Sequence, residues 1–225
     1  MKRILAAIIA AALLLSGCTS ASRPAESAPP TEMPSPSPTP VVTPTPEPEP
    51  ADGELVLVRD YIPGIFIDLK YATTDNFTGQ VIYDSDEAYL RYGTVKKLLC
   101  AQNELSGRGL SLKIWDAYRP VSAQFKLWEI CPNPVYVSDP NNGYSKHSRA
   151  NTVDITLVTD TGKSIPMPSG FDDFTSLADR DYSDVSAEAA ENARLLENVM
   201  VENGFVPYSG EWWHYSDSVS YDVYE

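Results

Sequence analysis

The chain has only two histidines, His147 and His214, and any fold it adopts is constrained by the company they keep. His147 lies in Tyr144-Ser145-Lys146-His147-Ser148-Arg149-Ala150-Asn151-Thr152-Val153-Asp154, and His214 in Glu211-Trp212-Trp213-His214-Tyr215. Each segment also carries a carboxylate, Asp154 in the first and Glu211 in the second. Two imidazoles and one carboxylate are the usual three protein ligands of a catalytic zinc, with a further carboxylate serving as base. A histidine beside an acid is also a common packing or surface pair. Taken together, however, the two segments use every histidine and fit one three-ligand geometry.

That geometry dictates how the chain must run. In a continuous strand His147 and Asp154 would lie more than about 20 Å apart, and Thr152-Val153-Asp154-Ile155-Thr156 is poor helix material. Shared ligation therefore requires the chain to fold back at Ser148–Asn151, with Asp154 on the strand that follows. Glu211 and His214, three apart, fall on opposite faces of a flat strand. Glu211 is expected at a bend or at the start of a strand, where it can face the site while His214 ligates. Trp212 and Trp213 can wall the site against water.

The N-terminal quarter is of another kind. Lys2 and Arg3 precede an apolar run from Ile4 to Leu15, and Leu15-Ser16-Gly17-Cys18 closes it. This reads as a secretory leader, too short for a comfortable membrane span. Its ending resembles the lipobox of bacterial lipoproteins, which implies cleavage before Cys18, lipid on its sulfur and an extracytoplasmic, membrane-anchored protein. An ordinary leader with a chance cysteine is the alternative reading. Residues 19–53 hold eleven of the 19 prolines among Ser, Thr, Ala and Glu. Such a stretch cannot bury enough apolar surface to order itself. It is expected to be an extended spacer reaching on the order of 100 Å; a proline-rich ligand for a partner domain is the other reading. Residues 54–225 then form one domain.

The formal charge of −14 becomes −16 once Lys2 and Arg3 leave with the leader. That excludes nucleic acid as a natural partner, and no obligate protein partner is evident. Cys100 and Cys131 could pair in an oxidising exterior or stand as separate thiols.

Strands are expected at Glu54–Val58, Ile65–Leu69, Ser111–Trp115, Thr152–Val158, Phe205–Pro207 and Trp212–Tyr215. Val95, Leu98, Leu99, Gln102 and Leu105 recur at helical spacing and predict a helix over Thr94–Leu105. Pro120 can open a helix over Val121–Ile130. Ser186 can cap one running to Asn203, with Ala189, Ala193, Leu196 and Met200 on one stripe and Gly204 as its stop. Helices interspersed with strands, without a βαβ repeat, predict a single α+β domain: an antiparallel sheet core with flanking helices.

A third chemical element is Trp115-Asp116-Ala117-Tyr118-Arg119-Pro120. The following proline restricts the backbone of Arg119. Its permanent positive charge can stabilise an oxyanion, or simply pair with an acid in this acidic domain.

These motifs, from Ser145 through Asp154, Glu211–Tyr215 and Asp116–Pro120, resemble the zinc D-alanyl-D-alanine dipeptidases of the VanX type. Tyr71-Ala72-Thr73-Thr74-Asp75-Asn76-Phe77-Thr78-Gly79 is similar to another signature of that family, and the match runs in order from about Asp68 to Tyr215. The resemblance implies one zinc per chain on His147, Asp154 and His214, Glu211 as catalytic base and Arg119 at the transition state. It further implies that Tyr71 and Asp172 hold the ammonium group of a small dipeptide, with Ser145 at its other end. The expected reaction is hydrolysis of D-Ala-D-Ala in cell-wall peptide metabolism. A surface-anchored zinc D,D-carboxypeptidase trimming stem peptides is the alternative, followed by a non-catalytic wall-binding lipoprotein. The chain departs from the family at Ala150, where glycine is usual, and at Met167-Pro168, where Met-Gly is usual. Alanine at a positive φ would cost on the order of 1 kcal/mol.

Overall fold

Strand β5 (Thr152–Thr159) is buried along all but its last residue, because its β-branched and apolar side chains are covered on both faces. It pairs antiparallel with β4 (Leu110–Asp116) on one side and β7 (Glu211–Asp217) on the other. Strand β6 (Phe205–Tyr208) adds antiparallel to β7, while the two-residue β2 (Phe66–Ile67) adds parallel to β4. The sheet order is β2-β4-β5-β7-β6, antiparallel except at one edge. A separate two-stranded sheet joins β1 (Leu55–Leu57) to β3 (Tyr89–Arg91). The computed structural model describes residues 48–224; the expected leader, Cys18 and residues 19–47 of the proline-rich stretch lie outside them. Among the described residues no helix is long and apolar enough to cross a membrane.

One face of the sheet supplies the core. Leu112 and Ile114 of β4 join Val153, Ile155 and Leu157 of β5 in a cluster completed by two helices. Helix α2 (Tyr92–Ser106) contributes Val95, Leu98, Ala101 and Leu105, and α4 (Ala187–Glu202) contributes Ala193, Leu196, Val199 and Met200. Gln102 falls on the buried stripe of α2 and is satisfied there. Its Oε1 accepts from the Leu112 amide at 2.9 Å, and its Nε2 donates to Ser111 at 2.9 Å. An unpaired amide at that depth would cost about 1–3 kcal/mol. Ser186 caps α4 by accepting from Ala189 N, and Gly204 ends the helix at φ 86°. Pro120 opens α3 (Val121–Ile130) at φ −53°.

The expected α+β class and antiparallel core hold. Two of the expected strands are shorter than the residue pattern suggests, while the others run slightly longer. Of Glu54–Val58 only Leu55–Leu57 is strand, and the chain then makes a single turn, α1 (Val58–Tyr61). Of Ile65–Leu69 only Phe66–Ile67 pairs. Gly162, at φ 81°, turns the chain after β5 so close to Phe66 that a Cβ there would sit 2.6 Å from its ring. Packed contacts begin slightly before Glu54: Asp52 O accepts from Gly93 N, and the Asp52 carboxylate pairs with Lys96. Cys100 is exposed, Cys131 is partly buried, and both are free thiols.

Candidate active site

The other face of β5 builds the site. Asp154 lies opposite His214 in the β5–β7 register, and neighbours across an antiparallel pair point to the same face. His214 Nδ1 is 3.0 Å from Asp154 Oδ1. His147 arrives from a 3-10 turn, Lys146–Arg149, capped by Ser145 Oγ, which accepts from His147 N at 3.3 Å. Ala150 then takes a left-handed conformation, φ 59° and ψ 28°, and sends the chain back into β5. This is the fold-back that shared ligation demands, made with alanine where glycine would be unstrained. It brings His147 Nε2 to 3.3 Å from Asp154 Oδ2.

His147, Asp154 and His214 thus offer three ligand atoms within 4.8 Å of one another, all three buried, and could hold a metal ion. The donor chemistry fits. His147 Nδ1 donates to the Ala117 carbonyl at 2.9 Å, which leaves Nε2 with its lone pair toward Asp154. That outer hydrogen bond is the usual device for fixing the tautomer of a metal-binding histidine. Burial disfavours the Asp154 carboxylate, but the two imidazoles outweigh it and hold the group well below the usual carboxylate range. Burial lowers the His214 pKa, which favours the neutral ring a metal needs. At His147 burial acts the same way, but Asp154 and Asp116 overcome it and raise its pKa. A divalent cation at this point would need the ring in its neutral form.

Glu211 is the first residue of β7, beside a register shift between Pro207 and Tyr208. The irregularity is what lets a residue three before His214 face the same way. Its Oε2 lies 3.5 Å from His214 Nδ1, and a third of its side chain is open to solvent. Burial and then Asp154 push its pKa up to about 7. A carboxyl poised there can accept or return a proton at neutral pH.

Arg119 is buried just beyond β4. It does pair with an acid: Nη2 and Nε reach Asp116 Oδ2 at 2.6 and 3.2 Å, while Nη1 donates to Gln124 at 2.9 Å. Its amide donates to the His147 carbonyl, so one short segment fixes both residues. The guanidinium also lies 5.0 Å over the ring of Tyr71. The Tyr71 hydroxyl donates to Asp172 Oδ2 at 2.8 Å. Asp172 sits at φ 53°, and burial above all pushes its pKa up to about 8. Among the described residues no lysine or arginine pairs with it. It is an acid that lacks a cation.

All eight residues singled out from sequence therefore lie on the connected segments of one region. Ser145 Oγ is engaged in the cap, where it accepts from His147 N, and its own proton is spare. Trp212 and Trp213 are fully buried behind the site, where Trp212 Nε1 donates to Ser169. Sequence reasoning missed three supports. Asp116 binds Arg119 and stands 3.5 Å from His147 Nδ1. Gln124 joins Arg119 to the Ser138 carbonyl. Arg180 donates to the carbonyls of His214 and Tyr208 and to Tyr215 Oη, bracing β7. Asp116 stood inside a recognised motif, and the need of a ligating imidazole for a partner was the one signal for it.

Comparison with known proteins agrees with this architecture. The model of the peptidase M15 family, D-ala-D-ala dipeptidase, matches residues 51–222. The D-alanyl-D-alanine dipeptidase of Escherichia coli (strain K12) is 39% identical over 162 residues, covering 72% of this chain and 83% of that one. The enzyme of the same name from Streptomyces coelicolor is 36% identical over 188 residues, covering 73% and 91%. That from Enterococcus faecium is 35% identical over 176 residues, covering 69% and 87%. The match spans nearly the whole packed domain and every residue of the site, and this chain belongs to the D-ala-D-ala dipeptidase family of peptidases.

Proposed function

We propose that the chain hydrolyses the amide bond of the dipeptide D-Ala-D-Ala, using one zinc ion held by His147, Asp154 and His214. The observation that carries this reading is the convergence of those three side chains within 4.8 Å, with Glu211 3.5 Å from His214. The relatives' shared name supplies the substrate. Zinc in this place supplies a Lewis acid for the scissile carbonyl and lowers the pKa of water. Glu211 takes the proton of the attacking water and delivers it to the departing amine as the C–N bond breaks. Arg119, held rigid by Asp116 and Gln124, offers its guanidinium to the oxyanion.

The other end of the substrate is bound by charge. Asp172, with Tyr71 fixing one of its oxygens, receives the free ammonium group. Leaving such a carboxylate unpaired is costly, so the site favours a free N-terminus. Ser145 has a proton to donate to the substrate's carboxylate end. The sequence reading of residues 1–53 as a leader, a lipid-bearing Cys18 and a spacer supports an activity carried outside the membrane on a lipid anchor.

Release of D-alanine by metal-loaded protein decides the matter, with D-Ala-D-Ala, its N-acetylated form and a wall pentapeptide as substrates. The highest kcat/KM is expected for the free dipeptide. Equal or better cleavage of the pentapeptide would make the chain a carboxypeptidase with the same metal site.

A further inference from the structure

The strand that carries Glu211 and His214 is not fully paired with its edge neighbour. The β6–β7 register runs Phe205 to Asp217, Val206 to Ser216 and Pro207 to Tyr215, and then steps to Tyr208 and Glu211. Trp212, Trp213 and His214 are thereby left without a β6 partner and bulge away from it. Pro207, at the start of the bulge, has no N–H to give the ladder. An edge strand tolerates such a residue, but the carbonyls on either side of the gap still call for donors from elsewhere.

Arg180 supplies them. Its Nε donates to the Tyr208 carbonyl at 2.7 Å and its Nη2 to the His214 carbonyl at 3.1 Å, one bond to each strand. Nη1 donates to Tyr215 Oη at 3.1 Å and to Glu197 Oε2 of α4 at 3.0 Å. The guanidinium lies 4.6 Å over the Tyr215 ring, and its side chain is 10% exposed. The Tyr208 ring, whose backbone is held in this way, stands edge-on 5.7 Å from the ring of His214. A planar fork suits two carbonyls at a fixed separation, whereas a lysine on its flexible stem is a point charge. What the fork holds in place is the bulge that gives Glu211 and His214 a common direction.

We propose that Arg180 is a positioning residue for the hydrolysis: by tying Tyr208 to His214 across the bulge, it fixes where the metal ligand His214 and the base Glu211 stand relative to each other. This rests on the dipeptidase reading above. Arg180 acts through the backbone, since its bond to His214 is to the carbonyl and not to the ring. Without the fork the bulge can relax, and a small displacement of ligand or base is enough to slow the reaction.

The test separates placement from stability. Arg180→Gln removes the fork, and Arg180→Lys keeps the charge beside Glu197 without it. Leu98→Ala, a cavity under the fully buried face of α2, serves as a variant that is merely destabilised. All are compared at a temperature where circular dichroism shows them folded. Arg180→Gln should weaken zinc binding, measured by competition with a chelator, by about tenfold, as when the outer support of a ligand is lost. With zinc saturating, its kcat on D-Ala-D-Ala should fall by about a hundredfold with KM little changed, the scale of a small misplacement. Arg180→Lys should behave like Arg180→Gln, and Leu98→Ala should keep both quantities despite a lower Tm. In a Glu211→Gln background, Arg180→Gln should cost far less than it does alone, because both changes remove the same proton transfer. Unchanged zinc affinity in a folded Arg180 variant overturns the proposal. So does a Leu98→Ala protein with the same losses, or full additivity with Glu211→Gln. Should Arg180→Gln not fold, Arg180→Lys decides by the same measurements. Weakened zinc binding in the Arg180 variants, with no D-alanine release from the natural protein, would instead sink the dipeptidase reading and leave the placement of His214 standing.

Discussion

Tyr71 and Asp172 lie 101 residues apart in sequence and meet through one hydrogen bond of 2.8 Å. The donor is neutral, so the bond fixes the carboxyl group without neutralising it. Burial then raises the pKa to about 8, and Asp154 and Glu211 add to the effect against the opposing pull of Tyr71 and Arg119. In the proposed reaction the substrate's ammonium group would supply the cation that this acid lacks.

The condition has a measurable consequence for the metal-free protein. Unfolded, Asp172 would titrate near 3.9. Between about pH 4 and pH 8 the folded form keeps a proton that the unfolded form has released. Stability contributed by this group is therefore complete below about pH 4 and is lost as pH rises through about 8. Asp172→Asn cannot titrate. In chelator-treated samples, the unfolding free energy of the natural protein minus that of Asp172→Asn should fall steadily across this window. A flat or rising difference would show that Asp172 is not held protonated.

Glu211→Gln should retain near-unit zinc by elemental analysis, because the three ligands are untouched. Turnover should drop by about a hundredfold or more, the usual cost of losing a general base. Undiminished activity would remove Glu211 from the mechanism. Replacing His147 or His214 by alanine should instead abolish stoichiometric zinc, and zinc retained by both variants would move the metal elsewhere.

Cys18→Ala should prevent incorporation of labelled lipid by cells producing the protein, while the soluble form released from them should keep its kcat/KM. Lipid still found on that variant would refute the anchor.

Much of this site was legible because its chemistry rests on rare residues. Two histidines leave few ways to place a metal, and β-branched Thr152–Val158 could hardly be anything but a buried strand. The fold-back between them was required by distance, and the 3-10 turn ending at Ala150 provides it. What escaped was set by tertiary contact alone. Strand β3 is three residues long and is defined by pairing with β1, more than thirty residues earlier, so no local period marks it. Arg180 reaches β7 from an irregular loop, and nothing in its neighbours announces the carbonyls it meets. Asp116 is one of 31 acidic residues, and its place between Arg119 and His147 depends on a bulge after Ile114 that composition does not encode.

Asp116 is therefore where structure adds most to sequence, and it gives the last prediction. Its Oδ1 accepts from Tyr83 Oη at 2.5 Å and from the Ala117 amide at 2.9 Å, while Oδ2 takes both arginine contacts. The side chain is fully buried. In Asp116→Asn the charge that balances Arg119 is gone, and an amide N–H₂ must face either a guanidinium or a hydroxyl that was donating. Breaking a buried pair from one side costs about 3–5 kcal/mol, because the remaining charge stays buried without compensation. Denaturant unfolding should show a loss of that size. The effect should reach the chemistry as well, since Ala117 holds His147 Nδ1 and Arg119 would lose its fixed direction. A fall in kcat larger than any rise in KM is expected, as for an interaction made chiefly in the transition state. Stability within about 1 kcal/mol of the natural protein would mean that Asp116 is not the support this geometry makes it, because surface-like changes are that small.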